Sequence, residues 1–231
     1  PKLAAQEALP FVTRVGTELQ VGPAPFFFLG ANAGVIHGPR SRNHVRDTLD
    51  RVAEDGLSVI RIWALGEHPT DAPAWADDYA FRRGQDAFIE STFIHLDTVL
   101  DEARTRGLRV IIVLANRWNA YGGIAEYLRI LGRPGPTDRQ GHPSEEALHA
   151  FFTDPNAERM YRDHALRIIM RRHARTGLLY RDDPTIMAFE LINEISVRRR
   201  YRDAMLGWID RQSSYIRSLD PNHLISAGHI G

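Results

Sequence analysis

The chain has 231 residues, of which 43% are hydrophobic and 25% charged, and this composition is typical of one globular domain with a sizeable core. Its 29 basic and 29 acidic residues leave no formal net charge, so bulk electrostatics favours neither nucleic acid nor an anionic membrane as a partner. The absence of cysteine excludes disulfides, thiolate nucleophiles and cysteine-ligated metals, and no apolar run approaches the ~20 residues of a membrane span.

The first part of the chain predicts a hairpin and the first strand of a parallel sheet. Residues 11–22 alternate in hydrophobicity around a glycine, which is typical of a short β-hairpin. Residues 26–32 form an apolar run that ends in Asn32, and apolar residues at helical spacing follow over 43–55. Asn32 would stand where this strand opens onto one edge of the sheet, although a turn-forming role beside its glycine neighbours fits equally well.

The second predicted strand, residues 57–63, carries an arginine inside an apolar run. An unpaired charge there would be costly, so Arg61 must meet carboxylate or amide partners. It could form a salt bridge in the core, or it could line the mouth of a barrel and orient catalytic carboxylates. Trp63, near the same end, could be a core residue or a platform for a sugar ring.

The third predicted strand, residues 108–115, leads into a segment that suits a sugar-binding site. Residues 116–123 contain two asparagines, two aromatic residues and two glycines. Aromatic faces stack on the C–H groups of sugars and amides bond their hydroxyls, so Asn116 and Trp118 are candidate substrate-binding residues. The alternative is a structural loop in which Trp118 plugs the end of the barrel. Residues 132–147, rich in glycine, proline and charge, predict an exposed loop.

Two further connections separate these strands. Residues 64–86 exceed the length of ordinary loops, which favours a binding loop. Helices are predicted over 89–106 and over about 156–174. His164 and His173 fall in the second of these helices, and we interpret them as helix-surface or packing residues because neither has a partner at metal-ligand spacing. We therefore predict no metal site.

A buried strand is predicted at residues 186–192, an apolar run that ends abruptly in Asn193 and Glu194. A buried strand that delivers an amide and a carboxylate at its C-terminal end has the layout of a parallel α/β barrel active site. As a dipeptide alone, the pair could equally be a polar strand exit, and only the flanking residues favour a catalytic role.

The last elements complete an alternation of strands and helices. A helix with an apolar face over 205–219 precedes a fifth strand over 223–228, and His229 stands at the exit of that strand. Five strands alternating with four helical regions predict a parallel sheet with right-handed crossovers.

Taken together and in this order, the motifs resemble the retaining glycoside hydrolases of family 5, in particular the endo-β-1,4-mannanases. The resemblance extends from about Phe11 to Gly231. It is carried by Arg61-Ile-Trp63, residues 96–103, 107–112, 116–123 with Tyr127, 176–180, 183–186, Glu190-Leu-Ile-Asn-Glu194 and 214–224.

The resemblance implies roles for particular residues. Glu194 would be the general acid/base, Asn193 would bond the substrate 2-hydroxyl, and Arg61 would support the nucleophile. Trp118 would line the substrate groove. The other candidate substrate-binding residues are Asn32, Trp63, Asn116 and His229.

The resemblance also implies fold and function. The expected fold is a (β/α)8 barrel of the retaining glycosidase type, which ends here after its fifth strand, so residues 1–231 would be a single, incomplete catalytic domain. The expected reaction is hydrolysis of internal β-1,4-mannosidic bonds by double displacement, without a cofactor or metal. The expected partners are a mannan-type polysaccharide and, as a separate segment or chain, the remaining part of the barrel. Neither nucleic acid nor a membrane is expected, and the protein would be secreted.

The chain departs from the family pattern at several positions. Phe189 stands where tryptophan is usual, Ile195 where proline commonly follows the glutamate, and His229 begins a pair that is usually acidic. The expected nucleophile belongs to a later strand, and Glu67 and Glu90 lie in the wrong part of the chain to replace it. Two alternatives therefore stay open, another family 5 β-glycanase such as an endoglucanase, or a non-catalytic carbohydrate-binding half barrel.

Overall fold

The computed structural model of the protein describes residues 9–68 and 78–229. Trp75 of the predicted binding loop therefore lies outside the described residues. The described strands are β1 (Val12–Val15), β2 (Glu18–Val21), β3 (Ala24–Pro25), β4 (Gly30–Asn32), β5 (Val59–Trp63), β6 (Glu67–His68), β7 (Arg82–Arg83), β8 (Ala87–Phe88), β9 (Arg109–Val113), β10 (Ile186–Glu190) and β11 (Leu224–Ser226). The described α-helices are α1 (Val45–Glu54), α2 (Glu90–Thr105), α3 (Ile124–Ile130), α4 (Glu145–Thr153), α5 (Pro155–Ile169) and α6 (Arg202–Leu219).

The central sheet has the strand order β4-β5-β9-β10-β11, and every neighbouring pair is parallel. Strands that follow one another along the chain are thus also neighbours in the sheet, as in a barrel wound in one direction. The register pairs Asn32 with Arg61 and Trp63 with Val113. The C-terminal ends of the five strands consequently lie along one edge, where the polar residues that follow them meet.

Burial explains why these segments are strands. All five residues of β10 are buried, as expected for a strand covered on both faces. Alternate side chains of β5 belong to different clusters. Ile60 and Ile62 lie in the large core shared with the helices, whereas Val59 lies in a second cluster with the hairpin residue Val12. Burial of each such aliphatic side chain contributes about 1.5–3 kcal/mol.

The hairpin formed by β1 and β2 closes the end of the sheet opposite the strand exits. Val12 is buried against Val59 and Ala188, and Leu19 and Leu224 pack on the same cluster. Val59 and Leu224 are the first residues of β5 and β11. One end of the barrel interior is therefore filled, and the other is left for polar residues.

The first strand is shorter than predicted. Residues 26–32 were expected to form it, but only Gly30–Asn32 pairs with β5. Phe26 instead donates its N–H to Leu19 of the hairpin, and Phe27 is 87% exposed. Because the hairpin engages Phe26, the ladder with β5 begins only at Gly30.

Two helices of the connecting segments were missed by the pattern analysis. The short helix α3 follows the glycines at the end of 116–123, and α4 begins inside the predicted loop 132–147. The Ser144 hydroxyl caps α4 by accepting the Ala147 N–H at 3.2 Å. Asp154, followed by a proline, caps α5 and separates it from α4.

The two histidines predicted on a long helix are both packing residues. Helix α5 ends at Ile169 rather than about residue 174, so His173 lies outside it. His164 and His173 are buried, and their Nε2 atoms lie 2.6 and 3.1 Å from the carbonyl oxygens of Ala64 and Asp97. A helix-surface position is therefore wrong for both.

The described part of the predicted binding loop is packed rather than open. Its strands β6 and β7 form a small sheet with β8, which follows the loop, and Phe81 is fully buried in the core. Within the described part of the chain, no helix is long and apolar enough to cross a membrane.

Candidate active site

A cavity of about 590 Å³ lies at the C-terminal ends of the parallel strands. It brings together all eight residues that the sequence analysis named as catalytic or substrate-binding, which are Asn32, Arg61, Trp63, Asn116, Trp118, Asn193, Glu194 and His229. Four lining residues were not named as site residues, which are Ala120, His142, Glu190 and Gly228.

Arg61 forms an ion pair with Glu190 at the mouth of the barrel. The Arg61 Nε donates to Glu190 Oε2 at 3.2 Å, and Nη2 donates to Oε1. Glu190 is the last residue of β10 and is only 7% exposed. Arg61 was expected either to form a salt bridge or to line the mouth of the barrel. It does both, because its salt bridge with Glu190 lines the cavity. The signal for Glu190 was a carboxylate at the end of an otherwise apolar strand, two strands away from an arginine that also lies in an apolar strand.

The same guanidinium orients Asn193. Arg61 Nη2 donates to Asn193 Oδ1 at 2.7 Å, and Asn193 Nδ2 donates to Asn116 Oδ1 at 3.0 Å. A guanidinium can only donate, so the amide oxygen must face Arg61. One hydrogen of the Asn193 amide is therefore committed to Asn116, and the second is left to donate to a bound hydroxyl. Asn32 closes the network, since its Oδ1 lies 3.4 Å from Arg61 Nη1.

Glu194 has an unusual backbone conformation. Its φ is 56°, in the left-handed region, which costs a non-glycine residue about 1–3 kcal/mol. Its neighbours hold this conformation, because Asn193 donates its N–H to Ala115 and Ile195 donates its N–H to Gly228. The strand therefore leaves the sheet between two fixed backbone bridges, and Glu194 lines the cavity.

Trp118 contacts the Glu194 carboxylate directly. Its indole Nε1 donates to Glu194 Oε2 at 2.5 Å. The ring is held by the Arg117 guanidinium, 4.1 Å from its centre, and by His142, whose ring lies edge-on at 4.9 Å. Trp118 thus lines the cavity instead of filling the barrel end, and its role in substrate binding stays a prediction.

His142 reaches the cavity through a tight turn that the sequence analysis treated only as exposed loop. The Asp138 carboxylate accepts the backbone N–H groups of Gln140 and His142, at 2.8 and 2.9 Å. The signal was an aspartate followed at short distance by glycine, which is typical of such turns. In the part of the chain that the structure describes, no group of three or more histidine, aspartate or glutamate residues could hold a metal ion.

The chain is similar to known proteins over almost its whole length. A family model described as GH family 5 beta-mannosidase-like matches residues 10–231. The mannan endo-1,4-beta-mannosidase 2 of rice is 33% identical over 233 residues, which cover 99% of this chain and 49% of the relative. The mannan endo-1,4-beta-mannosidase 1 of tomato is 30% identical, and this chain covers 53% of its length. The chain thus spans about half the length of these plant relatives.

Two solved structures resemble the fold closely. The endo-1,4-beta-mannanase of Rhizomucor miehei has a TM-score of 0.81 at 23% identity, covering 96% of this chain and 61% of that one. The endo-beta-1,4-mannanase of Thermotoga petrophila has a TM-score of 0.76 at 29% identity, covering 88% of this chain and 43% of that one. These similarities confirm the predicted α/β barrel, of which the five parallel strands are the first part.

Proposed function

Because the chain belongs to the glycoside hydrolase family 5 beta-mannosidase-like family, as its motifs predicted, we propose that the protein is a retaining endo-β-1,4-mannanase. The proposal extends to the whole protein, since the chain covers only part of its relatives. The observation that carries it is the placement of Glu194 in the cavity beside Trp118 and Asn193.

Glu194 acts in this proposal as the general acid and then as the general base. It donates a proton to the glycosidic oxygen as the bond breaks, and it later takes a proton from the water that releases the sugar. Its position at the end of a barrel strand and its contact with an indole donor support the role. The indole N–H holds one oxygen in place and leaves the carboxyl group beside the cavity.

Asn193 positions the sugar that reacts. Its amide has one N–H left after the bonds to Arg61 and Asn116, and we assign this donor to the 2-hydroxyl of the substrate. Hydrogen bonds to this hydroxyl strengthen in the transition state of glycoside hydrolysis. Trp63, Trp118 and His229 would form the walls of the sugar site.

The nucleophile is assigned to a later strand of the barrel. A retaining enzyme needs a second carboxylate about 5–5.5 Å from the first. Among the described residues of the cavity, the second carboxylate is Glu190, and both of its oxygens accept hydrogen bonds from Arg61. Such a carboxylate is poorly placed for attack, and its role is to hold Arg61.

The engagement of Glu190 by Arg61 also favours a second candidate function, carbohydrate binding without hydrolysis, for the 231-residue chain taken alone. With Glu194 present and no unengaged second carboxylate in the described cavity, the chain by itself would bind carbohydrate without turning it over. Mannan-binding measurements on this chain, together with an assay for reducing sugars, distinguish the two candidates. Turnover by the purified monomer that Glu194→Gln abolishes would contradict the assignment of the nucleophile.

The test of the acid role is Glu194→Gln in the longest natural form of the protein. We expect a large loss of activity on mannan and a smaller loss, in the glycosylation step, on substrates with good leaving groups, which need little proton donation. Single-turnover kinetics on both substrates measure this difference. Glu158→Gln on α5, whose carboxylate pairs with Arg211, is the matched control and should leave both rates unchanged. Equal losses on both substrates would remove Glu194 from the acid role.

Asn193→Ala tests the positioning role. We expect a loss of kcat, because the contact to the 2-hydroxyl contributes most in the transition state. Asn222→Ala is the control, because it removes an amide that lies just before β11 and donates to the carbonyl oxygen of Arg181. Unchanged turnover of the Asn193 variant would contradict the assignment, and a comparison of mannan with carboxymethylcellulose tests the substrate class.

Secretion belongs to the same proposal, because a polysaccharide substrate of this kind is met outside the cell. Detection of the protein in the medium of the producing cells would support it, and retention inside intact cells would contradict it.

A further inference from the structure

A buried carboxylate that the proposed chemistry does not use lies in β6. Glu67 is fully buried and does not line the cavity. Its Oε2 accepts the backbone N–H of Gly123 at 3.3 Å. Gly123 is the last residue of the segment 116–123, which we call the Trp118 loop. A buried group therefore contacts the loop that forms one wall of the site.

The loop backbone is pressed directly onto Glu67. A Cβ on Gly122 would lie 2.7 Å from the backbone N and O of Glu67 and 2.9 Å from its Oε2. A Cβ on Gly123 would lie 1.8 Å from the Trp118 carbonyl oxygen. Tyr121, Gly122 and Gly123 all have positive φ, at 59°, 106° and 76°. Glycine adopts such angles readily, so only Tyr121 carries a steric cost, and the two glycines allow the loop backbone to approach Glu67 this closely.

The same loop is tied to the catalytic groups. Ile124 donates its N–H to the Asn116 carbonyl at 3.0 Å, which closes the loop, and Asn116 Oδ1 accepts from Asn193. Trp118 donates its backbone N–H to Asn116 Oδ1 at 3.2 Å and its indole N–H to Glu194. A displacement of the Gly123 end of the loop therefore moves the groups that contact Asn193 and Glu194.

We propose that Glu67 is a positioning residue for the reaction, holding the Trp118 loop through the Gly123 N–H so that the indole N–H meets Glu194. This inference rests on the proposed function for its catalytic meaning, whereas the loop contact stands independently. Glu67 acts through the loop and touches no substrate.

The surroundings of Glu67 explain why it can hold the loop over a range of pH. Burial raises the pKa of Glu67 to about 7, against the opposing effect of the Arg82 guanidinium on β7. The other ionisable groups that face it are Tyr127 on α3 and, beyond Arg82, the buried His164 on α5. Both the neutral and the ionised carboxyl can accept the Gly123 N–H, and the ionised form binds it more strongly.

The test follows the Trp118 indole signal by NMR in the longest natural form of the protein, labelled with ¹⁵N-tryptophan. The present chain contributes four tryptophans, and loss of one signal in Trp118→Phe identifies the one of interest. Glu67→Ala and Glu67→Asp should move this signal towards the position of a solvent-exposed indole. Glu67→Gln, which can still accept the Gly123 N–H, should keep it near the wild-type position.

Two further readouts separate positioning from a general structural effect. Glu158→Asp makes the same shortening at a glutamate on α5 that pairs with Arg211, so it should leave the Trp118 signal in place. The pH dependence of the signal near pH 7 should be smaller in Glu67→Gln than in the wild type. On mannan, kcat should fall about 10- to 100-fold for Glu67→Asp and stay within about threefold for Glu67→Gln.

An unchanged Trp118 signal in folded Glu67→Asp protein would overturn the proposal, and so would a signal displaced equally by Glu67→Gln and Glu67→Asp. If Glu67→Ala fails to fold, the Asp and Gln variants alone decide. The NMR measurement needs no substrate, so its failure is distinguishable from failure of the proposed mannanase activity.

Discussion

Two buried glutamates, Glu190 at the end of β10 and Glu67 beside the Trp118 loop, are held in different ways. Glu190, at the end of β10, is bound through both oxygens by Arg61. Glu67 is more deeply buried, and its Oε2 accepts the backbone N–H of Gly123. Burial alone favours the neutral form of a carboxyl group, and a bidentate guanidinium opposes it.

The difference bears on what each residue does. The Arg61–Glu190 pair is a fixed charge arrangement that orients Asn193, so its removal should affect the whole site. Glu67 holds a loop through a single acceptor oxygen. Replacing it by glutamine therefore removes the carboxyl group but keeps an oxygen that can accept the same hydrogen bond. The following changes test this comparison, beginning with the largest expected effect.

Arg61→Ala should destabilise the protein by about 3–5 kcal/mol, because it leaves a buried carboxylate without its partner. Urea unfolding measures the change. The double variant Arg61→Met with Glu190→Leu should recover much of the loss, since apolar replacement of a buried ion pair is often neutral. If the single variant unfolds at the same urea concentration as the wild type, the pair does not hold this corner of the site.

Glu67→Gln should alter stability in a pH-dependent manner. The pKa of Glu67 is about 7 in the folded protein and its ordinary value is 4.5, so the folded form binds the proton more tightly. Its contribution to stability is therefore complete below about pH 4.5 and is lost as the pH rises through 7. The Gln variant should gain up to about 3 kcal/mol relative to the wild type between pH 4.5 and 8.

Thermal and urea unfolding at several pH values measure this difference. Glu158→Gln, at a half-buried glutamate of α5 that pairs with Arg211, is the control and should give no comparable trend. A difference between wild type and Glu67→Gln that stays constant with pH would show that Glu67 does not change its protonation there.

Gly228→Ala should disturb the Glu190 corner by steric contact. A Cβ at Gly228 would lie 2.1 Å from the Ile192 carbonyl oxygen and 2.7 Å from Glu190 Oε1, and the φ of Gly228 is 77°. Gly56→Ala is a matched control, since Gly56 has a φ of 75° and no atom within 4 Å of the Cβ position.

Both substitutions carry the backbone cost of about 1–2 kcal/mol for a left-handed residue, but only Gly228→Ala adds a clash. We expect Gly228→Ala to be the more destabilising by at least about 1 kcal/mol, the low end of the range for an overpacked site. Equal unfolding free energies for the two variants would mean that the backbone around Ile192 relaxes freely.

The amino-acid sequence predicted the elements whose signals are local. The helical spacing over 43–55 corresponds to α1, and the apolar run 186–192 contains β10. All eight named site residues were found around one cavity because each stands in or just after a parallel strand, and the C-terminal ends of such strands share an edge. The boundaries were less accurate at β4 and α5, where tertiary neighbours decide how far an element extends.

What only the tertiary structure decided is which groups pair across the chain. Arg61 and Glu190 are separated by 129 positions, and Glu67 and Gly123 by 56. No periodicity or local motif specifies such pairs, because they depend on how the helices and loops pack once the sheet has formed. For the same reason the pattern could name Trp118 as a candidate but could not show that a buried glutamate supports its loop, since burial and hydrogen bonding are properties of the folded chain.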